Sequence, residues 1–141
     1  MTAVIRRLGP GDEQAVLDAG GLFDGAPDPD TTRRFLGEPS HHLLIAYDAD
    51  GTPLGFVSGV ETTHPDKGTE MFLYELGVDE PARGRGVGRA LVEALVALAG
   101  ERGCYGMWTG TEASNAAALA TYAAAGASAS DDTVVLDWKF A

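Results

Sequence analysis

Arg83-Gly84-Arg85-Gly86-Val87-Gly88-Arg89-Ala90 stands between a strand-like run, Met71-Phe72-Leu73-Tyr74-Glu75-Leu76-Gly77-Val78, and a helical run from Val87 to Leu98. Glycines at alternate positions let the backbone curl so that successive N–H groups face one concavity, and the helix that follows adds the positive end of its dipole. Such a turn suits a phosphate. Arg83, Arg85 and Arg89, three of the chain's ten basic residues, fall inside seven positions there. Positive charge is gathered where an anion would bind.

Working outward, Val4 to Leu8 predicts a strand. Gly9-Pro10-Gly11-Asp12 ends it, with Asp12 the expected N-cap of a short helix from Glu13 to Ala19. Residues 20–30 are too rich in Gly, Pro and Asp for regular structure and form an expected wall of a cleft, with Asp30 capping a second helix from Thr31 to Leu36. Leu43 to Tyr47 and Pro53 to Val60, joined by the turn Asp48 to Thr52, read as an antiparallel hairpin. His64 to Gly68 then turns the chain into the strand ending at Val78. The helix after the glycine turn carries Val87, Leu91, Ala94, Leu95 and Leu98 at helical spacing, and Gly100 and Gly103 close it. A strand from Tyr105 to Thr109, a helix from Ala116 to Ala125 and a last strand from Thr133 to Phe140 complete the pattern. This order predicts one domain over residues 1–141, a mixed sheet with helices on both faces.

Composition narrows the partners. The chain has 141 residues, 21 of them acidic, and a formal net charge of −11. That charge repels nucleic acid and anionic membranes and attracts a cationic small molecule or basic peptide. The lone Cys104 forms no internal disulfide and has no base at a telling spacing, so it reads as a small apolar residue in a cytosolic protein. No apolar run reaches membrane-spanning length, and the N-terminus lacks a signal core, so the mature chain is expected to begin near Met1. His41, His42 and His64 lack metal-ligand spacing, and no metal is expected.

Spacing separates the phosphate loops. A P-loop needs Lys-Ser or Lys-Thr after its last glycine, where Arg89-Ala90 stands. The dinucleotide fingerprint needs two residues between its second and third glycines, but Gly86-Val87-Gly88 has one. A third pattern, Arg or Gln, two residues, Gly, one residue, then Gly or Ala, matches from Arg83 to Gly88. Asn115, Ala118, Tyr122 and Gly126 supply a second match further along. With these residues the chain resembles the GNAT N-acetyltransferases, most strongly from Met71 to Gly126. Ala127 departs from the aromatic usual after that last glycine.

The resemblance implies a mixed, mostly antiparallel sheet of six to seven strands with about four helices. It also implies acetyl-CoA as acetyl donor. Carried over residue by residue, it assigns the pyrophosphate to the N–H groups around Arg85, Gly86, Val87, Gly88 and Arg89, with Arg83 adding charge. Leu76 and Val78 would pair with the pantetheine arm like an added strand. Tyr122 would be general acid to the coenzyme A sulfur, with Asn115 holding the cofactor nearby.

The acceptor is less legible. Glu75, a charge inside a strand-like run, is the candidate base, or else a carboxylate paired to a buried arginine. Asp28, Tyr74, Glu112, Asp131 and Asp132 would join it in lining an anionic pocket, and each singly also reads as a solvated residue. Tyr74-Glu75, the Phe23-Asp24 loop and Glu112 ahead of Asn115 look most like the small aminoglycoside 3-N-acetyltransferases. Acetylation of a protein N-terminus, an amino acid or a polyamine is the alternative. A non-catalytic acetyl-CoA sensor is the reading from a different class, and a homodimer is compatible with exposed sheet edges.

Overall fold

The computed structural model describes residues 3–130 and 132–140. A five-stranded sheet has the order β1 (Val4–Leu8), β2 (His41–Tyr47), β3 (Pro53–His64), β4 (Gly68–Val78), β5 (Met107–Trp108). The first four strands pair antiparallel and β5 joins β4 in parallel. Helices α1 (Glu13–Asp18) and α2 (Pro29–Gly37) cover one face; α3 (Val87–Glu101) and α4 (Ala116–Ala124) belong to the other.

Strand alternation builds two cores from one sheet. On β2, Leu43 and Ile45 join Val16, Ala19, Leu36 and Phe56 beneath α1 and α2. Leu44 and Ala46 face the other way, onto Leu91, Leu95 and Leu98 of α3. The α3 stripe therefore falls where its spacing predicted, and the mixed sheet with helices on both faces is the observed fold.

Several boundaries differ from expectation for identifiable reasons. Asp12 is the N-cap residue of α1 as expected, but its side chain makes no capping bond; the carboxylate instead accepts from Gly9 N–H at 2.8 Å and from Arg6 at 2.6 Å, closing the turn after β1. Asp28, not Asp30, caps α2, accepting from Thr31 N–H at 2.8 Å, because Pro29 is already set for the first helical position. Gly100 lies inside α3, which runs on to Glu101. The fifth strand shrinks to two residues. Thr133 to Phe140 forms no strand, so the sheet has five strands rather than six or seven.

The largest departure lies in β4. Ser58 stands opposite Glu75 but Gly59 opposite Leu73, so Tyr74 is an extra residue, a β-bulge. The bulge reverses the alternation: Met71 and Leu73 point into the α3 core before it, Leu76 and Val78 after it. Tyr74 and Glu75 are left together on the opposite face.

Candidate active site

β4 and β5 part company at the bulge. They pair only at Met71 with Met107 and Phe72 with Trp108, and the last tie is the Thr109 hydroxyl, which donates to the Leu73 carbonyl at 2.8 Å. Asp79 N–H reaches across to Leu54 O at 2.8 Å. By alternation Gly77 also turns toward β3, so Leu76 and Val78 direct their N–H and C=O groups to the open edge. That is the edge expected to receive an extended chain.

The glycine turn sits at the end of this edge. Gly84 and Gly86 take left-handed φ values of 77° and 81°, which other residues adopt only with strain. Gly86 is the N-cap of α3, and the first helical bond runs from Ala90 N–H to Gly86 O at 3.0 Å, leaving the N–H groups of Val87, Gly88 and Arg89 without a helical partner. Gly88 lies where three elements approach: a Cβ there would be in van der Waals contact, at 3.4 Å, with both Thr121 Cγ2 and Val78 Cγ2. Turn, α4 and β4 edge thus meet at one point.

The arginines around the turn are engaged with protein groups. Arg83 Nε donates to the Val78 carbonyl at 3.1 Å, so it occupies the open edge rather than standing over the turn. Arg85 lies 4.0 Å from Asp48, and Arg89 3.5 Å from Glu93 one helical turn on. These are exposed pairs, weak enough to yield to a phosphate. The left-handed glycines, the free amides and the open edge form a cradle that fits a pyrophosphate carrying an extended arm.

Tyr122 is half-buried on α4, packed against the α3 core. Burial pushes its phenol above the ordinary value, with the Thr109 side chain pulling the other way. Its hydroxyl therefore lies beside Thr109, at the fork where the two strands separate. Thr109 escaped the sequence reading, its only signal being its place at the end of a strand run. Asn115 caps α4, its carboxamide oxygen accepting from Ala118 N–H at 3.0 Å, which leaves the amide N–H groups for a ligand.

On the other face of β4 lies a cleft of about 450 Å³. Phe23, Phe56 and Tyr74 wall it, with Asp28 at its rim and Ser58 and Glu75 side by side on the sheet. Glu75 has no hydrogen bond or ion pair among the described residues, so the buried-arginine alternative does not hold. Its carboxyl is raised above the usual range, first by burial and then by the charge of Asp24. Phe56 and Ser58 were also unread as site residues, because only the sheet register brings them to Glu75, and Asp24, noted only as part of its loop, acts on Glu75 from outside the sheet. A similar cavity of about 500 Å³ by Arg7, Asp12 and His41 contains none of the candidate residues.

Two expected pocket residues are elsewhere. Glu112 is exposed in the turn before α4, and its carbonyl accepts from Asn115 N–H at 2.9 Å. Asp132 is exposed and accepts from the Ser130 hydroxyl. Neither lines the cleft, because the turn and the segment that carry them do not fold over it. Asp131 lies outside the described residues.

The acetyltransferase (GNAT) family model matches residues 15–127. The chain belongs to that family. It is 41% identical to a mycothiol acetyltransferase of Clavibacter sepedonicus over 60% of this chain and 27% of that protein. It is 45% identical to an L-2,4-diaminobutyric acid acetyltransferase of Chromohalobacter salexigens over 37% of this chain and 26% of that one. The chain thus spans about a quarter of the length of these two relatives. An aminoglycoside acetyltransferase from an uncultured soil metagenomic sample, crystallised with sisomicin, shares the fold with a TM-score of 0.88 over 98% of this chain and 96% of its own, at 17% identity.

Proposed function

We propose that this GNAT protein is an acetyl-CoA-dependent N-acetyltransferase acting on an amine of a polycationic small molecule, the 3-amino group of an aminoglycoside. One observation carries the acceptor reading: Glu75, unpaired and raised in pKa, stands among aromatic walls in a cleft with Asp28 at its rim. Carboxylates and ring faces both attract ammonium groups, and the net charge of −11 steers cations toward them.

Val87, Gly88 and Arg89 N–H groups would hold the pyrophosphate, the Leu76 and Val78 edge the pantetheine arm, and Asn115 the cofactor nearby. Arg83 would give up the Val78 carbonyl when that arm pairs. The donor supplies an acetyl group activated as a thioester. Glu75 accepts the proton of the incoming ammonium, directly or through a water, and its raised pKa brings it nearer the operating pH. Tyr122 keeps a proton on Oη at neutral pH because burial disfavours the phenolate, and so has one to give to a departing thiolate.

The likeness to a diaminobutyric acid acetyltransferase favours one second reading, a small diamino acid as acceptor. Coenzyme A release is measured with sisomicin, gentamicin, 2,4-diaminobutyrate, spermidine and a peptide N-terminus, and the acetylated nitrogen is located by NMR. Turnover with the aminoglycosides at the 3-amino group is expected. Turnover confined to the diamino acid or peptide would replace the acceptor; none with any amine, with acetyl-CoA still bound, would favour a sensor.

A further inference from the structure

A polar side chain buried without a partner costs stability and calls for a reason. Among the described residues three polar or charged residues are buried: Thr32, His42 and Ser58. His42 is satisfied at both ring nitrogens, by Arg7 and by Glu61. The Thr32 and Ser58 hydroxyls have no hydrogen-bond partner among the described residues, and both residues line the cleft that holds Glu75. At 7% and 8% exposure neither side chain turns out to bulk solvent. Among the described residues, the sealed side-chain polar atom without a partner is His41 Nδ1 and neither of these, so both hydroxyls open to the cleft.

They reach it from two sides. Ser58 stands on β3 directly opposite Glu75, and Thr32 comes from α2. The other lining residues set the chemistry of what fits. Phe23, Phe56 and Tyr74 present rings, Glu75 and Asp28 are acidic, and no Lys or Arg lines the cleft among the described residues. A carboxylate on the ligand would face Glu75 and Asp28 with no cation to pair it, which disfavours an amino acid. A bare methylene chain would leave both hydroxyls unpaired, which disfavours a plain polyamine. A ring that carries both amines and hydroxyl groups meets every demand: its C–H face lies on the aromatics, an ammonium meets Glu75, and its hydroxyls pair with Ser58 and Thr32.

We infer that Ser58 and Thr32 are the specificity-determining pair of the acceptor cleft, hydrogen-bonding the ring hydroxyls of a hydroxylated cyclic amine while Glu75 meets its ammonium. This deepens the acceptor reading above and rests on the same cleft. A site that pairs a hydroxyl rejects the analogue lacking it, because the protein's own buried groups are then left bare. Each hydroxyl should contribute about tenfold in affinity, and the two together about a hundredfold.

The test uses the full chain without an acetyl donor, so that binding is read apart from transfer. The probes are 2-deoxystreptamine and cis-cyclohexane-1,3-diamine, which share a ring and its two amines and differ in the hydroxyl groups. Calorimetric titration should show the first bound about a hundredfold more tightly. Ser58→Ala and Thr32→Val should each cut that ratio about tenfold, by weakening the hydroxylated ring alone. Because neither hydroxyl has a protein partner, both variants should melt at or above the wild-type temperature, whereas loss of a structural hydrogen bond would lower it. Equal affinity for the two amines, binding of neither, a preference that survives both substitutions, or a clearly lowered melt overturns the inference. Acetylation of sisomicin without any hydroxyl preference would remove this inference and leave the proposed function standing; a hydroxyl preference with no amine acetylated would do the reverse.

Discussion

Tyr122→Phe isolates the proposed acid, since it deletes one oxygen and leaves the ring in place. The phenol is pushed above its ordinary value of 10.0. At pH 8 fewer than about one molecule in a hundred therefore lacks the proton, and phenylalanine removes a group that is almost always ready to donate. Positioned proton transfer contributes typically 10²–10⁴-fold. Because the Tyr122 hydroxyl lies beside Thr109 and is only half-buried, the lower part of that range is expected, a fall in kcat of roughly a hundredfold, or about 2.7 kcal/mol in the barrier. Losing the hydroxyl's hydrogen bond should cost about 1 kcal/mol of stability. The assay is steady-state coenzyme A release with an accepted amine, alongside calorimetric titration of acetyl-CoA into wild type and variant. Binding should change little while kcat falls. A kcat within threefold of wild type, with the melt intact, would refute the assignment; equal losses in binding and turnover would make Tyr122 a packing residue.

Three further outcomes follow from the packing and the charges. Gly59→Ala places a Cβ 2.9 Å from Met71 Sδ and 3.0 Å from Leu95 Cδ1, both fully buried, so urea unfolding should show about 1–3 kcal/mol of destabilisation; an unchanged midpoint would contradict the close approach. Gly86→Ala meets no neighbour but must hold a φ of 81°, so it should lose about 1–2 kcal/mol and weaken acetyl-CoA binding, whereas Gly100→Ala, in open space inside α3, should gain about 0.5–1 kcal/mol. His42 accepts from Arg7 at 3.3 Å through Nδ1 and meets Glu61 at 2.5 Å through Nε2, and burial holds its pKa below the ordinary 6.5. The unfolded chain then binds the extra proton first, so its share of stability is full above pH 6.5 and is lost as pH falls toward the folded pKa; Glu61, held low by His42 and Arg102 against burial, works in the same sense at lower pH. Melts from pH 8 to 5 should decline through that window, less steeply in His42→Asn.

The glycine turn and the α3 stripe were legible because they depend on neighbours in sequence. Arg83 to Gly88 needs left-handed backbone at set positions, and Leu91, Leu95 and Leu98 need only a helical period. The Asn115 cap is local in the same way. Asp30 was misread because Asp28, two residues away, is a competing acceptor, and Asp12 holds its expected place while its carboxylate turns back to Gly9 and Arg6; small differences in turn geometry make these choices.

Glu75 shows where local reading ends. Its type and position marked it, but whether it met an arginine or a cleft depended on register with β3. The extra residue at Tyr74 decides that, and because Met71 to Tyr74 is apolar or aromatic at every position the run shows no alternation for the bulge to shift. Thr133 to Phe140 is the converse: its alternation states that it wants a sheet, yet alternation cannot say whose.

The sequence by itself carried the motif resemblance that points to the family, and it determined the turn that suits a pyrophosphate and the helix behind it, because turn and helix are fixed by backbone chirality and a period of 3.6 residues. Only the tertiary structure decided that β4 and β5 separate past Leu73, that Thr109 stands beside Tyr122, and that Glu75 faces a cleft on the other side of the sheet. Those are distances between residues far apart in the chain, set by strand register and packing, which no local pattern encodes.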